Sequence, residues 1–370
     1  MRTVELTIED VAFGGKGVAR DEGKAVFIPF TIDGERIAAK IVREKRQFAN
    51  AELVDVIEKS SHRVEPACPY FGRCGGCAYQ HISYEHQLDI KTRQVRDVLR
   101  RIGKIENAPV LPMVPSPLAY SYRNRITVHV QDGIVGFYQR DSNRLIDIEQ
   151  CPISSPGVND ALVDLRAQKP RDGNYTLRAG GGPLVFTQIS DEVARALADR
   201  IAQFIPKNQQ LLIDAYCGAG FFAKRLAERF KRVIGIDWDR FAIRAAQQHA
   251  TVKETYIAGD VEDELHNVLV GAVDSTDPSR IGIDGRLGSI APTSRTVLIV
   301  DPPATGLPEG VRAKIVDVAP QTVIYVSCNP ATLARDLLDL TKRYAVESVT
   351  PFDMFPQTAE IEVAVHLTCR

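Results

Sequence analysis

The chain has no apolar run approaching the ~20 residues that would span a bilayer, which excludes a helical membrane protein. Its start, "MRTVELTIED", has no signal-peptide core, so a cytoplasmic protein is expected. Net charge is −1, which removes the global basic signature of many nucleic-acid binders. Any polyanion contact must then come from local patches. Low-complexity tracts and internal repeats are missing too. What remains is ordinary for a globular protein, 44% apolar and 25% charged. A length of 370 residues exceeds what one hydrophobic core usually serves, so two or three domains are expected. In a reducing compartment the seven cysteines, at positions 68, 74, 77, 151, 217, 328 and 369, are metal-bound, catalytic or reduced rather than disulfide-bonded.

Residues 1–58 alternate short apolar strands with glycine turns at Gly14, Gly15 and Gly17, the pattern of a small five-stranded β-barrel. Residues 59–180 open with "CPYFGRCGGCAYQ" and run into a helix bearing Arg93, Arg96, Arg100 and Lys104 on one side. That side is either a solvated charged face or a ridge for phosphates. A hairpin-like stretch follows, where Arg123, Arg125, Arg140 and Arg144 interleave with Tyr120, Tyr122, Phe137 and Tyr138. Cations beside aromatics on paired strands suit single-stranded RNA. Core packing accounts for the aromatics equally well.

Residues 181–370 form the third block. From about 184, strands alternate with helices, which argues a doubly wound, largely parallel α/β sheet. The stretch 271–295 has turn residues and no period, and reads as an insertion loop. "LLIDAYCGAGFF" carries a strand into Gly218 and Gly220, where glycine lets backbone approach a ligand at the carboxyl edge of the sheet. The next strand ends in Asp237, seventeen residues past Gly220, suited to a ribose diol. Asp260 and Asp301 end the strands after it. A dinucleotide is disfavoured because the third fingerprint glycine is replaced by Ala223. Asp301-Pro302-Pro303 makes a stiff edge for holding a flat substrate, and S-adenosylmethionine is the favoured ligand.

Cys328, in "YVSCNPATLARD", ends a strand at the same edge. Its polar, turn-forming neighbours argue against a thiol that merely fills space. A free thiol has a pKa of about 8.5, so a reactive one needs a lowered value or a base. Glu360 and Glu362 alternate with Ile361, Val363 and Val365 along a last strand, and a carboxylate reaching the crevice is a candidate base. Cys68, Cys74 and Cys77 have C-x₅-C-x₂-C spacing, with Cys151 a distant fourth. Four thiolates suit zinc or a [4Fe–4S] cluster, and a Cys-Gly-Gly-Cys redox pair is a poorer reading.

Taken together, "CPYFGRCGGC", "DAYCGAG", "VDPP", "SCNPATLARD" and "FPQT…E" resemble the RNA uracil-5-methyltransferases over nearly the whole chain. The resemblance implies a TRAM-like barrel, a cysteine-rich central domain that binds RNA, and a Rossmann-like class I methyltransferase domain. It implies Cys328 as nucleophile toward carbon 6 of a uracil and Glu362 as the base that removes the carbon 5 proton. It implies S-adenosylmethionine held by Gln188, Tyr216, Gly218, Gly220, Asp237, Asp260 and Asp301. It also tips the metal reading to a [4Fe–4S] cluster on Cys68, Cys74, Cys77 and Cys151, with zinc second. The expected partner is RNA, with 23S rRNA favoured over tRNA, and the expected state is a monomer. Three positions depart from the family pattern: Ala304 replaces an Arg, Phe221 a polar residue and Glu360 a His. Two rivals stand beside this reading: an amino-methylating enzyme that needs no Cys328, and an inactive RNA-binding iron–sulfur protein.

Overall fold

The computed structural model describes residues 2–179, 190–269 and 295–370. Gln188 lies outside the described residues, as does the expected insertion loop apart from Arg295.

The first sheet holds β1 (Thr3–Thr7), β2 (Asp10–Ala12), β3 (Lys16–Asp21), β4 (Lys24–Pro29), β5 (Arg36–Glu44) and β6 (Phe48–Glu58). Its order is β1-β5-β6-β4-β3-β2. β1 and β2 are one strand bent at Ile8 and Glu9. One half pairs with β5 and the other with β3, which closes the sheet on itself. The five-stranded barrel expected from the sequence is therefore drawn with six segments. Every second residue points inward, and Leu6, Ile8, Val26, Ile28, Ile37 and Ala39 fill its core.

The central region contains α1 (Tyr84–Arg101), β7 (Arg125–Gln131), β8 (Ile134–Tyr138), β9 (Leu145–Asp147), α2 (Pro156–Ala167) and β10 (Gly173–Arg178). The strands make an antiparallel sheet in the order β10-β7-β8-β9. Its apolar face (Ile126, Val128, Val130, Val135, Ile146) packs on Val158, Leu162 and Leu165 of α2. The basic stripe of α1 is engaged within the protein. Arg93 bonds Asp33, Arg100 bonds Asp97, and Arg96 and Lys104 donate to backbone carbonyls. Exposed pairs of this kind contribute little to stability. The opposite side of α1 is the consequential one. Lys91 is fully buried, donating to Asp353 Oδ1 at 2.7 Å and to the Phe355 carbonyl at 3.0 Å, which straps α1 to the C-terminal domain.

That last domain contains α3 (Asp191–Phe204), β11 (Gln209–Ala215), α4 (Phe221–Leu226), β12 (Phe230–Asp237), α5 (Arg240–Gln247), β13 (Glu254–Ala258) and α6 (Val261–Leu269). It continues with β14 (Thr296–Val300), α7 (Glu309–Val318), β15 (Thr322–Ser327), α8 (Pro330–Leu340), β16 (Tyr344–Phe352) and β17 (Glu362–Cys369). The strand order is β13-β12-β11-β14-β15-β17-β16. β11 to β15 run parallel, and β17 slots antiparallel between β15 and β16. The parallel strands read as nearly unbroken apolar runs because helices cover both faces. Strand order reverses between β11 and β14, and a crevice opens at the carboxyl ends there. No helix among the described residues is long and apolar enough to cross a membrane.

Candidate active site

β11 delivers the chain into a turn of unusual backbone. Tyr216 has φ +64°, Gly218 +52° and Gly220 +82°. A left-handed tyrosine costs of order 1–3 kcal/mol and persists only where its surroundings hold it. A Cβ on Gly218 would meet no atom within 4 Å, so the space before this backbone is open. On Gly220 it would lie 2.8 Å from the Tyr256 hydroxyl, so that glycine is required by packing as well. Asp237 is buried and holds the turn: Oδ2 accepts from Gly218 N and Oδ1 from Asp239 N, both at 2.8 Å. Asp260 caps α6 by accepting from Glu262 N at 2.8 Å.

Two residues that sequence reasoning passed over stand at this edge. Asp214 is fully buried, with Oδ2 accepting from Ala223 N at 2.8 Å and no partner for Oδ1 among the described residues. Burial, reinforced by Asp301 and Asp237, pushes its carboxyl up to about 8. Trp238, the only tryptophan, is 72% exposed directly after Asp237, and Phe241 is 78% exposed just beyond. The signal was available. A large aromatic beside a strand-end acid is a poor core residue and a good platform for a flat ring.

Two turns facing each other carry the reactive groups. β14 ends at Val300, and Asp301 begins the Pro-Pro turn, its amide donating to the Ala215 carbonyl at 3.3 Å. β15 ends at Ser327, Cys328 follows, and Asn329 caps α8 by accepting from Ala331 N at 3.0 Å. The two turns are stapled together. Asn329 Nδ2 and Thr332 Oγ1 both donate to the Ala304 carbonyl, at 3.2 and 3.0 Å. Ala304 contributes through its backbone, so the missing family arginine leaves this staple intact. Behind it, Asp336 is fully buried and accepts from Leu307 N (2.7 Å), Tyr325 Oη (2.8 Å) and Arg335 (2.7 Å).

Cys328 and Glu362 sit side by side, since β15 and β17 pair up to Ser327 opposite Val363, one residue from each. Burial pushes the Cys328 thiol up to about 12, and the charges of Glu362, Asp301 and Glu360 push the same way. Glu362 opens β17, is 3% exposed, and is held well above the usual carboxylate range by burial, Asp301 and Glu360. Burial likewise raises Asp301 to about 7. Burial is the first cause for all three, and the nearby carboxylates add to it for Cys328 and Glu362. Glu360 does not share a strand face with Glu362, as the alternation suggested. It precedes β17, is exposed, and donates its backbone N–H to Thr358 Oγ1 at 3.2 Å.

Glu360 turns instead toward a second cavity, of about 550 Å³, lined by Cys68, Cys74, Cys77 and Cys151 among others. Burial raises the thiols of Cys68, Cys74 and Cys77, the last to about 12, and each also feels Cys151. All seven cysteines are free. Among the described residues no three histidine, cysteine or acidic side chains are gathered tightly enough to hold a single ion. This cysteine segment leans on the loop that leads to Glu362: Ala78 N and Tyr79 N both donate to the Gln357 carbonyl, at 2.9 and 3.0 Å. Cys217 is buried beside the glycine turn and Cys369 lies half-buried on β17.

A family model described as tRNA (uracil-5-)-methyltransferase matches residues 183–370, and a TRAM domain model matches residues 1–54. The chain belongs to this methyltransferase family. Its enzyme class is that of an S-adenosylmethionine-dependent RNA uracil-5-methyltransferase. Relatives named uncharacterized RNA methyltransferases occur in Halalkalibacterium halodurans, at 30% identity covering 97% of this chain and 95% of that one, and in Bdellovibrio bacteriovorus, at 30% identity covering 98% and 94%. In fold the methyltransferase matches Pyrococcus abyssi tRNA (uracil-54, C5)-methyltransferase in complex with S-adenosyl-L-homocysteine. The TM-score is 0.68 at 20% identity, over 98% of this chain and 99% of that one.

Proposed function

We propose that the enzyme methylates carbon 5 of a uridine in RNA through a covalent adduct between Cys328 and carbon 6. The observation that carries this reading is the strand register: β15 and β17 pair up to Ser327 opposite Val363, which sets Cys328 and Glu362 side by side at the carboxyl edge where Asp301 ends the neighbouring β14. Carbon 5 of uracil is a weak nucleophile. Addition of the Cys328 sulfur at carbon 6 breaks the 5,6 double bond and loads electron density onto carbon 5 and the carbonyl oxygen. The thiol proton passes to the carboxylate of Asp301, and Glu362 enters the reaction in its unprotonated form. Carbon 5 takes the methyl group that S-adenosylmethionine supplies when bound. Glu362 then removes the carbon 5 proton, the 5,6 double bond re-forms, and the sulfur departs. A buried carboxylate with raised proton affinity suits that last step. A stacked base must be flipped to reach the crevice, at a cost of a few kcal/mol.

Tyr216, Gly218, Gly220, Asp237, Asp260 and Asp301 would hold the methyl donor, with Gln188 joining them by motif. The unpartnered Oδ1 of Asp214 suits the donor's ammonium, and Trp238 the face of its adenine. Cys68, Cys74, Cys77 and Cys151 would hold a [4Fe–4S] cluster that organises the central region. Zinc, with a Zn–S length of about 2.3 Å, would draw its ligands around one point. All four thiols line one cavity of about 550 Å³, which leaves room for the larger group. The RNA proposed is 23S rRNA. The P. abyssi protein's substrate favours tRNA as a second reading, and mapping 5-methyluridine in total RNA from a deletion strain separates the two.

RNA carrying 5-fluorouridine tests the chemistry, because fluorine at carbon 5 blocks the final proton removal. The wild-type enzyme is expected to form a denaturant-resistant adduct that Cys328→Ala abolishes. Glu362→Gln should accumulate the adduct on ordinary uridine. No adduct with any RNA would refute the covalent route.

A further inference from the structure

Glu362 is the first residue of β17, and its register partner is Phe352, the last residue of β16. Residues 353–361 join the two. That is longer than a self-closing hairpin turn, so the path of the loop depends on what packs around it. Within it one short turn closes on itself, where Thr358 N and Oγ1 both donate to the Phe355 carbonyl, at 3.2 and 2.9 Å. Gln357 in that turn has φ +69°, a left-handed backbone that a residue other than glycine keeps only where its surroundings impose it.

What imposes it lies in residues 78–122, far away in the chain. Besides Lys91 on the Phe355 carbonyl, and the Ala78 and Tyr79 amides on that of Gln357, the Tyr122 hydroxyl donates to the Pro356 carbonyl at 3.0 Å. Gln87 of α1 completes the set with a two-way bond. Its Oε1 accepts from Gln357 N at 3.1 Å, and its Nε2 donates to Gln357 Oε1 at 3.0 Å. The same Nε2 donates to the Ile82 carbonyl at 2.8 Å, which fixes how the amide is turned. Gln87 is fully buried and Gln357 is 2% exposed, so water cannot stand in for a lost partner. The Cys328 turn is held differently, by Asn329, Thr332 and Asp336 from within its own domain. The nucleophile and the base thus have separate supports.

We propose that Gln87 is a positioning residue, which acts through Gln357 to aim Glu362 for the last step of the reaction and leaves the attack by Cys328 untouched. The inference rests on the covalent route given above. In the last step the carbon 5 proton passes to the Glu362 carboxylate, the electrons of that C–H bond rebuild the 5,6 double bond, and the carbon 6–sulfur pair returns to Cys328. The carboxylate must lie within hydrogen-bond reach of the proton it takes. A shift of about 1 Å slows such a step on the order of 100-fold. Sulfur addition and methyl transfer come earlier and do not use Glu362 as a proton acceptor.

The test uses unmodified rRNA and tRNA transcripts, supplied together and made with either uridine or 5-fluorouridine. Gln87→Met, which keeps the side-chain length and loses both bonds, should lower kcat on uridine transcripts about 10- to 100-fold with KM unchanged. Denaturing gels should show adduct accumulating on uridine transcripts, while adduct on 5-fluorouridine transcripts forms at the wild-type rate. Gln94→Met controls for a merely structural effect. Gln94 is a buried glutamine of the same helix that donates to the Val11 and Ala12 carbonyls of the barrel, at 2.8 and 2.9 Å. Its loss should lower the melting temperature and leave turnover and adduct formation in their wild-type ratio. Tyr122→Phe, which removes the bond to Pro356, should shift that ratio as Gln87→Met does, by a smaller factor. A wild-type ratio in Gln87→Met, or in Tyr122→Phe should Gln87→Met fail to fold, would overturn the proposal. So would a Gln94→Met protein that accumulates adduct on uridine transcripts. Wild-type protein that forms no adduct on 5-fluorouridine transcripts would refute the covalent route, and the role of Gln87 with it.

Discussion

Asp336→Asn isolates the device that holds the two reactive turns together. The carboxylate is fully buried: Oδ2 takes the Leu307 N–H and the Tyr325 hydroxyl, and Oδ1 takes Arg335 and Arg312. Asparagine fills the same volume but has one acceptor. Its oxygen must face the guanidiniums, since an amide N–H₂ cannot, so its nitrogen meets Leu307 N–H. The tyrosine can rotate its hydroxyl to accept, whereas the Leu307 amide is left buried and unpaired, at about 1–3 kcal/mol. Arg312, whose side chain is 14% exposed, keeps Asp339 and an amide oxygen as acceptors and loses only the charge of Asp336, about 1 kcal/mol. Arg335, 46% exposed, adds little because water screens it. The total is about 2–4 kcal/mol, which lowers the melting temperature of a unit this size by roughly 10 °C. Leu307 ends the turn that begins at Asp301, so the loss is also felt at the crevice. A displacement of about 1 Å there is enough for a 100-fold fall in kcat. Thermal melting and transfer of a radiolabelled methyl group to RNA read both effects. Tyr325→Phe, which leaves the Leu307 bond in place, should cost only about 1 kcal/mol. A variant Asp336→Asn that melts within 2 °C of wild type and keeps half its kcat would refute the reasoning.

Two further expectations concern protons. With its thiol at about 12, Cys328 in the free enzyme should alkylate with iodoacetamide more slowly at pH 8 than an ordinary thiol, and gain nearly tenfold per pH unit up to about 11. An ordinary thiol profile in wild type would contradict a thiol raised by burial. Asp214 and Asp301, raised to about 8 and about 7, bind protons in the folded state that the unfolded chain, with Asp near 3.9, has released. Stability of the ligand-free protein should therefore be full below about pH 4 as far as these groups go, and decline as pH rises through 7 to 8. Asp214→Asn, which keeps an acceptor for Ala223 N, should flatten that decline in melting curves from pH 5 to 8. An unchanged slope would show Asp214 ionised at neutral pH.

Much of the fold was legible because its signals are local. Alternation over residues 1–58 marked strands, and unbroken apolar runs from 209 onward marked buried parallel ones. Glycines after one strand and acids after the next three marked the carboxyl edge, since a chain leaving a parallel strand there has little choice of geometry. Other features depend on which strand neighbours which. The bend at Ile8 that closes the barrel, and the insertion of β17 between β15 and β16, are settled by pairing partners far away in the chain. The interleaved arginines and aromatics of 120–144 looked alike in the sequence, and only packing separated Tyr122 from Tyr138.

By itself the sequence determined the chemistry on offer: a thiol at a strand mouth, acids at strand ends, a glycine turn and a cysteine set, each specified within a few residues. Only the tertiary structure decided that Cys328 and Glu362 come side by side at the ends of paired strands, and that Glu360, whose charge both feel, also lines the cysteine cavity. The reason is physical. A side chain's identity is fixed where it is written, while its proton affinity is fixed by the burial and the charges that folding brings to it from other strands.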